Sequence, residues 1–485
     1  LGVISLWKWL QKKIPSGYAA LAVGAVCLVA VPVNMAAENW DDHDRSGRYA
    51  TIAHAKNYLN SCAPNAILFT FGDNDTFPLW YAQEVEGVRR DIRVVNLSLL
   101  SGDWYIDQIK RQAYEGAAVP ISFTKDQYTG KRDIVYVQER FDRAFSLKDV
   151  MAYVASDRPE TKLATYRGVS VDYIPTSKVY VPVDPEKVVA NGTVAPEDAG
   201  KIVNRLEVTI PKQVLYKNDL MVLDIIATNN WERPVYFGIG MGLDSFLGFD
   251  KYFQLEGAAF RLVPIETQDS SAYGETGRVN SRILYDHLMN GFTWGNIKDP
   301  AVNIDHFHSN TISVMRYRGT FARLAETLLD EAGVGAGDSL IPLHVDTARL
   351  HAAVRVLDKS LEELPLYQLP ADYFTVLHAA AYYRAGEFEK ANHLVRAIVR
   401  EHLQYLKYYW SLPPRLQMQV RRDENASKLF ITTLLDEAAR AGQKSLLDEI
   451  DKMWAETVRP AAPRAADTLP PDSSWGEVPE SEKTE

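Results

Sequence analysis

From Ile14 to Ala37 the chain carries no charged side chain, and that single run limits what the rest can become. Its centre, "GYAALAVGAVCLVAVPVNMAA", is long enough to cross a bilayer as a helix, weakened only by Pro32 and Asn34. Lys8, Lys12 and Lys13 precede the run, whereas Glu38, Asp41, Asp42 and Asp44 follow it. The excess of lysine before the span places the N-terminal end in the cytoplasm and everything past residue 38 outside. A signal peptide shares the charged-then-apolar order. Against it, apolar "LGVISLW" stands where a short basic start belongs, and "NMAA" is a poor cleavage site. With Leu1 in place of Met, that prefix predicts that residues 1–13 end a truncated membrane domain and that 14–37 is its last span.

Past the membrane, periodicity alternates between strand and helix. "AILFTF" (66–71) and "RVVNLSLL" (93–100) are continuous apolar runs of strand length, each followed by helical spacing, in "PLWYAQEVEGV" (78–88) and "WYIDQIKRQAY" (104–114). This β-α-β-α order predicts an α/β domain with a doubly wound, mostly parallel sheet over residues 38–309. Further strands are expected at 178–183, 233–239 and 258–265, and a helix at 217–230. Residues 120–175 and 185–205 predict loops and short strands.

From about residue 310 to 458 the pattern is all-α. "YFTVLHAAAYYRAGEFEKANHLVRAIV" sets Ala379, Tyr382, Gly386 and Ala391 at the offsets of a tetratricopeptide-like helical hairpin. A degenerate copy precedes it, and two further helices, around 425–441 and 444–456, follow. Residues 459–485, rich in Pro, Ala, Ser and Glu, predict a disordered tail.

With 53 basic against 63 acidic residues the chain carries a net charge of −10, and it has no local Lys/Arg cluster. Nucleic acid is therefore excluded as a partner, because phosphate neutralisation needs a basic face. Cys27 and Cys62, one inside the apolar run and one outside, make no disulfide scaffold. Candidate chemistry concentrates in two places. "GDND" (72–75) follows the first strand, where a doubly wound sheet opens its ligand crevice. There Asp73, Asn74 and Asp75 suit sugar hydroxyls or a divalent cation, although ordinary turn and capping chemistry uses the same residues. "ENWDDHDRSGRY" (38–49) sets His43, Arg45 and Arg48 at headgroup level, where the arginines suit a lipid phosphate and a solvated linker is the plainer alternative. His306 and His308, two apart, suit a metal on a strand but lack a third ligand, and "GIGMG" (238–242) predicts a flexible turn.

Five stretches, "ENWDDHDRSGRY", "LFTFGDNDTFPLWYAQEVEGVRRDIRVVNLSLLSGDWYIDQ", "NDLMVLDIIATNNWERPVYF", "FQLEGAAFRLVPI" and "YDHLMNGFTWG", recur in order over most of residues 36–455. They resemble the extracytoplasmic C-terminal half of the bacterial protein O-mannosyltransferase-like family, inner-membrane glycosyltransferases of the GT-C type. The resemblance implies transfer of a sugar from a polyprenyl-phosphate donor to Ser or Thr of exported proteins; no cofactor is expected beyond that donor, a divalent cation apart. It also implies a periplasmic location for most of the chain, and an acidic catalytic residue in an early loop between spans that this chain lacks. Asp73, Asn74, Asp75, His43, Arg45 and Arg48 are then expected to bind ligand, not to catalyse. The expected partners are the membrane, an exported acceptor protein and a protein held on the helical repeats. Two other readings are a non-catalytic periplasmic scaffold, and a hydrolase with a second carboxylate near Asp73 or Asp75.

Overall fold

The computed structural model describes residues 2–164, 170–267, 276–304, 314–335 and 345–458. His306, His308 and the tail expected from residue 459 lie outside the described residues. The chain divides into two units, Leu1–Glu387 and Phe388–Glu485.

The first unit starts with helices α1 (Gly2–Leu10) and α2 (Ser16–His43). Among the described residues, Gly17–Trp40 within α2 is the one stretch long and apolar enough to cross a membrane. Leu21, Leu28, Val31 and Met35 are exposed on it, a surface that water penalises at roughly 25 cal/mol per Å².

Helix α3 (Ala50–Asn60) leads into β1 (Ile67–Thr70), α4 (Gly72–Glu84), β2 (Arg93–Asn96) and α5 (Asp103–Ile109). Later come α6 (Lys217–Asn229), β3 (Val235–Gly238), β4 (Phe253–Leu255), β5 (Ala259–Leu262) and β6 (Arg278–Val279). The six strands form one mixed sheet in the order β6-β4-β5-β3-β1-β2. In its parallel half β1 pairs with β2 on one side and β3 on the other, and every residue of the three strands is buried. Burial on both faces is what continuous apolar runs require. In the other half β5 pairs antiparallel with β3 and β4, while β6 is parallel to β4.

From β1 the chain passes through α4 to β2; from β3 it leaves the opposite way, toward β4 and β5. The two outgoing connections therefore diverge at the carboxyl ends of β1 and β3, the place where an open α/β sheet forms its ligand crevice.

Between β2 and β3, strands Ile134–Val137, Lys162–Ala164, Ser170–Ile174 and Val214–Tyr216 make a four-stranded sheet, and Phe145–Ser146, Lys178–Pro182 and Arg205–Thr209 a three-stranded one. The region expected as loops and short strands also holds a helix, Leu147–Ala155. It buries Leu147, Val150, Met151 and Val154 on one face and is too short for its period to stand out.

The described residues from Val314 onward are helices and turns. In the first unit α7 (Val314–Glu331) packs against both α8 (Thr347–Glu363) and α9 (Tyr373–Arg384). In the second, α10 (Phe388–Ser411) packs against α11 (Arg421–Arg440) and α12 (Lys444–Val458), with Asn392 bonded to Gln443 at 2.9 Å and Arg396 to Glu449 at 2.8 Å. Of the residues expected in one hairpin, Ala379 and Tyr382 are buried on α9 and Ala391 on α10. Gly386 takes φ +79° just before the division between the units.

Arg318 fixes the start of α7. It is fully buried and donates to the carbonyls of Leu364 and Leu369 at 2.9 Å and of Pro370 at 2.8 Å. It also reaches Asp372 at 3.3 Å, whose carboxylate caps α9 through the Thr375 amide. One guanidinium thus ties the 364–372 loop to the helix that carries residues 316 and 317. Arg318→Met should lower stability by about 3–5 kcal/mol, with little recovery in Arg318→Lys, whose ammonium cannot span the same acceptors. Thermal unfolding of the two variants measures this.

Candidate functional site

The crevice's first wall is the turn after β1. Phe71 is extended and Gly72 takes φ +76°, so the chain enters α4 at once. The "GDND" stretch is therefore the first turn of a helix, not a loop, and α4 begins six residues before the expected start at Pro78. Pro78 sits in the second turn, where it removes the N–H that would bond to Asn74 O. A buried polar network holds the early start in spite of that loss. Thr76 Oγ1 donates to Gly72 O at 2.8 Å, and Asn96 Nδ2 donates to Thr76 Oγ1 at 2.7 Å and to Gly72 O at 3.2 Å. Thr70 joins through a 2.8 Å bond to Thr76. The network also sets which way the acids point. Asp73 and Asn74 are exposed, while Asp75 is 6% exposed. Two residues on a helix are about 200° apart, so Asp73 and Asp75 do not converge on one point.

The second wall is Gly238–Ile239–Gly240, at the end of β3. The sequence predicts a flexible turn there; the structure instead shows backbone that admits no side chain at two positions. A Cβ on Gly238 would lie 2.0 Å from the Tyr58 hydroxyl, and one on Gly240 would lie 2.1 Å from Asp75 Oδ2. Neither glycine has a positive φ, so the requirement is space. Arg316, on α7, donates to Ile239 O at 2.5 Å. Three helices, α3, α4 and α7, thus meet one tripeptide.

Behind it, His54 on α3 bonds through Nδ1 to the Tyr317 hydroxyl at 3.0 Å, and its ring stands edge-on to Tyr58 and Tyr317. Burial, with Arg316 adding to it, pushes His54 down to about 4, so its imidazole is neutral at physiological pH. Burial, reinforced by the Asp75 charge, pushes both phenols up. Burial likewise raises Asp75 to about 6, with the Arg316 charge opposing it. Asp75 accepts no hydrogen bond from the described residues, and Tyr58 has no side-chain partner. The sequence reading found Asp75 but missed Tyr58, His54, Arg316 and Tyr317. Only the glycine spacing of "GIGMG" signalled a close approach.

The bonds found for the juxtamembrane group are local. His43 Nδ1 pairs with Asn39 O at 2.8 Å as α2 ends, and Arg48 donates to Asp44 O at 3.3 Å. Arg45 is exposed. The segment docks through Gly47 and Tyr49 onto Asn296 and Gly295, then runs straight into α3. Among the described residues no three His, Cys, Asp or Glu side chains gather as metal ligands. A cavity of about 10 Å³ beside Trp231, Arg233 and Leu262 lies at the other, amino-terminal end of β3, with room for one water.

Residues 51–283 match a family model, TMEM260-associated domain 2. The match takes in every strand of the main sheet and the crevice residues His54, Tyr58, Asp75 and Gly238–Gly240, and it stops before Arg316. Neither the curated proteins nor the solved structures supply a match.

Two predictions test the site's energetics. Asp75 is raised from 3.8 to about 6, so in that window the folded chain keeps a proton that the unfolded chain has lost. Stability should therefore fall as pH rises through the window, by about 3 kcal/mol once Asp75 is ionised. Asp75→Asn should recover most of that above about pH 7 and gain little near pH 4, as read by urea unfolding across the range. Gly240→Ala should destabilise the native protein and cost at least about 1 kcal/mol less in an Asp75→Ala background, where the clashing carboxyl is gone. A double-mutant cycle measures the difference.

Proposed function

We propose that this chain is the C-terminal portion of a membrane-bound glycosyltransferase that moves a sugar from a polyprenyl-phosphate donor to Ser or Thr of exported proteins. In this reading it belongs to the GT-C type, sits in a bacterial inner membrane through α2 and exposes its bulk to the periplasm. Its part is to position acceptor or donor, while the catalytic centre lies on another segment. The matched TMEM260-associated domain and the one apolar helix support a glycosyltransferase-related membrane protein. The lysines before α2 and the acids after it support the orientation.

The observation that carries the reading is Asp75. It is a carboxylate buried at a topological switch point, without a hydrogen bond from the described residues, beside a second strand end whose glycines leave it space. Leaving an acceptor buried and unanswered costs about 1–3 kcal/mol, and more for a charge, so a fold retains it where a ligand answers it. A pure scaffold has no use for such a group. A glycosidase needs a second carboxylate at short range, yet the charge that acts on Asp75 is the Arg316 guanidinium. Asp73 and Asn74 form the exposed lip of the same helix turn. Arg45 and Arg48 would pair the donor's phosphate at the headgroup level. The parallel half of the sheet is read as the doubly wound element, and the helices from α7 onward as tetratricopeptide-like hairpins that hold acceptor or partner protein.

Asp75→Asn in the full-length protein should reduce glycoprotein formation in cells about tenfold or more, with the amount of membrane-inserted protein unchanged. Unaltered glycosylation at equal protein level overturns the proposal. Quantitative mass spectrometry of exported glycopeptides gives the readout.

A further inference from the structure

We infer that the crevice between β1 and β3 binds a neutral, polyhydroxylated ligand, a sugar ring, and that Asp75 with Arg316 takes a pair of its neighbouring hydroxyls. The inference rests on the reading of this crevice as a ligand site, and it narrows that reading to the sugar, as against a phosphate or a peptide.

The argument begins with what the two side chains lack. Asp75 can only accept when ionised, and Arg316 can only donate. Asp75 has no hydrogen bond from the described residues, and its oxygens are not sealed as the Tyr58 hydroxyl and His54 Nε2 are. Arg316 is exposed, and among the described residues it bonds to Ile239 O alone, which leaves other N–H groups to donate. A hydroxyl both donates and accepts, so a pair of adjacent hydroxyls can satisfy the acid and the base together.

Charge excludes the alternatives. A phosphate at the N-terminus of α4 would meet Asp73 and Asp75 in the helix's first turn, which oppose the attraction of the helix dipole. A metal ion would find one carboxylate and a guanidinium, with no three ligands gathered among the described residues. An amine would meet Arg316, and a zwitterion would set its carboxylate against Asp73. A neutral ligand disturbs none of these balances. The surroundings also suit a ring. Phe71, the residue before Gly72, is half exposed at the rim, and Gly72 keeps backbone open to close approach, while the space at Gly240 is taken by the Asp75 carboxyl itself. Behind Asp75, Tyr58 and Tyr317 are neutral phenols and His54 a neutral imidazole, so no further charge competes.

The test uses the full chain in lipid nanodiscs and a panel of methyl glycosides that differ in the presence and orientation of adjacent ring hydroxyls. Saturation-transfer NMR should show binding at millimolar concentration, about 10 mM or below, of the glycosides with adjacent hydroxyls. Asp75→Asn and Arg316→Gln should each weaken it about tenfold. Arg316 is exposed, and matching thermal melts confirm that both variants are folded. Inorganic phosphate and glycine, added in excess, should not compete. Absence of glycoside binding, equal binding in both folded variants, or displacement by phosphate or glycine overturns the inference. Glycoside binding that depends on Asp75 while cellular glycosylation does not would uphold this inference and sink the functional proposal. The reverse result, glycosylation lost in Asp75→Asn with no glycoside bound by the native chain, overturns this inference alone.

Discussion

The parallel pairing of β1 with β3 is the constraint on which the rest depends. Ile67, Leu68 and Phe69 stand opposite Val235, Tyr236 and Phe237, so the chain leaves both strands at the same level and the first turn of α4 meets Gly238–Gly240. The register is held by aromatic packing: Phe69 lies 4.9 Å from Phe237, Phe237 4.8 Å from Phe253, and Phe253 stacks on Phe260 at 5.7 Å. Each ring is buried, worth roughly 1.5–3 kcal/mol. A one-residue slip would turn every side chain to the other face and break that run. It would also bring the side chain of Ile239 or of Met241 to the place where only Gly240 leaves room for the Asp75 carboxyl.

The sheet was legible because apolar runs and turn residues are local signals. Strands expected at 66–71, 178–183, 233–239 and 258–265 and the helix at 217–230 all appear within a few residues of their expected ends. The start of α4 was not legible, because the forces that set it are not local. Pro78 argues for a helix beginning there, and the opposing bonds come from Thr70 and from Asn96, on a different strand. The site shows the same division. Asp75 stood out as an acid after a strand, but its separation from Asp73 depends on where the helix starts. Tyr58 and His54 look like ordinary core residues of α3, and nothing near Arg316 in sequence ties it to residues 75 or 239. "GIGMG" carried a readable sign, since glycines two apart after a buried strand can mark close approach as well as flexibility. Only the structure shows what approaches.

The crevice departs from the economy of the surrounding core. Several buried charged groups elsewhere are answered: Arg318 by three carbonyls and a carboxylate, Glu256 by Tyr236 and Gln254, Asp224 by Ser122. At the switch point Asp75 has charge opposition from Arg316 but no donor, and Tyr58 has no side-chain partner. Such local conflict is costly in a fold and tends to survive at functional sites. Within one unit, then, the Arg318 charge is matched by its surroundings, whereas the Asp75 carboxyl is met by an opposing charge alone.

The matched domain also ends short of the working unit. Residues 51–283 supply β1, β3, α4 and nearly all of α3, but the cation that opposes Asp75 and the hydroxyl that meets His54 Nδ1 both come from α7. Cut at residue 283, the α/β part would lose both the Tyr317 hydroxyl that meets His54 Nδ1 and the Arg316 charge that opposes Asp75. It would also remove Phe292 and Trp294 together with Tyr317, whose ring stands against His54 on α3. The start of α7 is held in turn by Arg318, two residues beyond Arg316, through the 364–372 loop and the cap of α9. The helices that follow the sheet in the first unit are therefore part of the crevice: whatever shifts the 364–372 loop shifts Arg316, and with it the charge balance at Asp75.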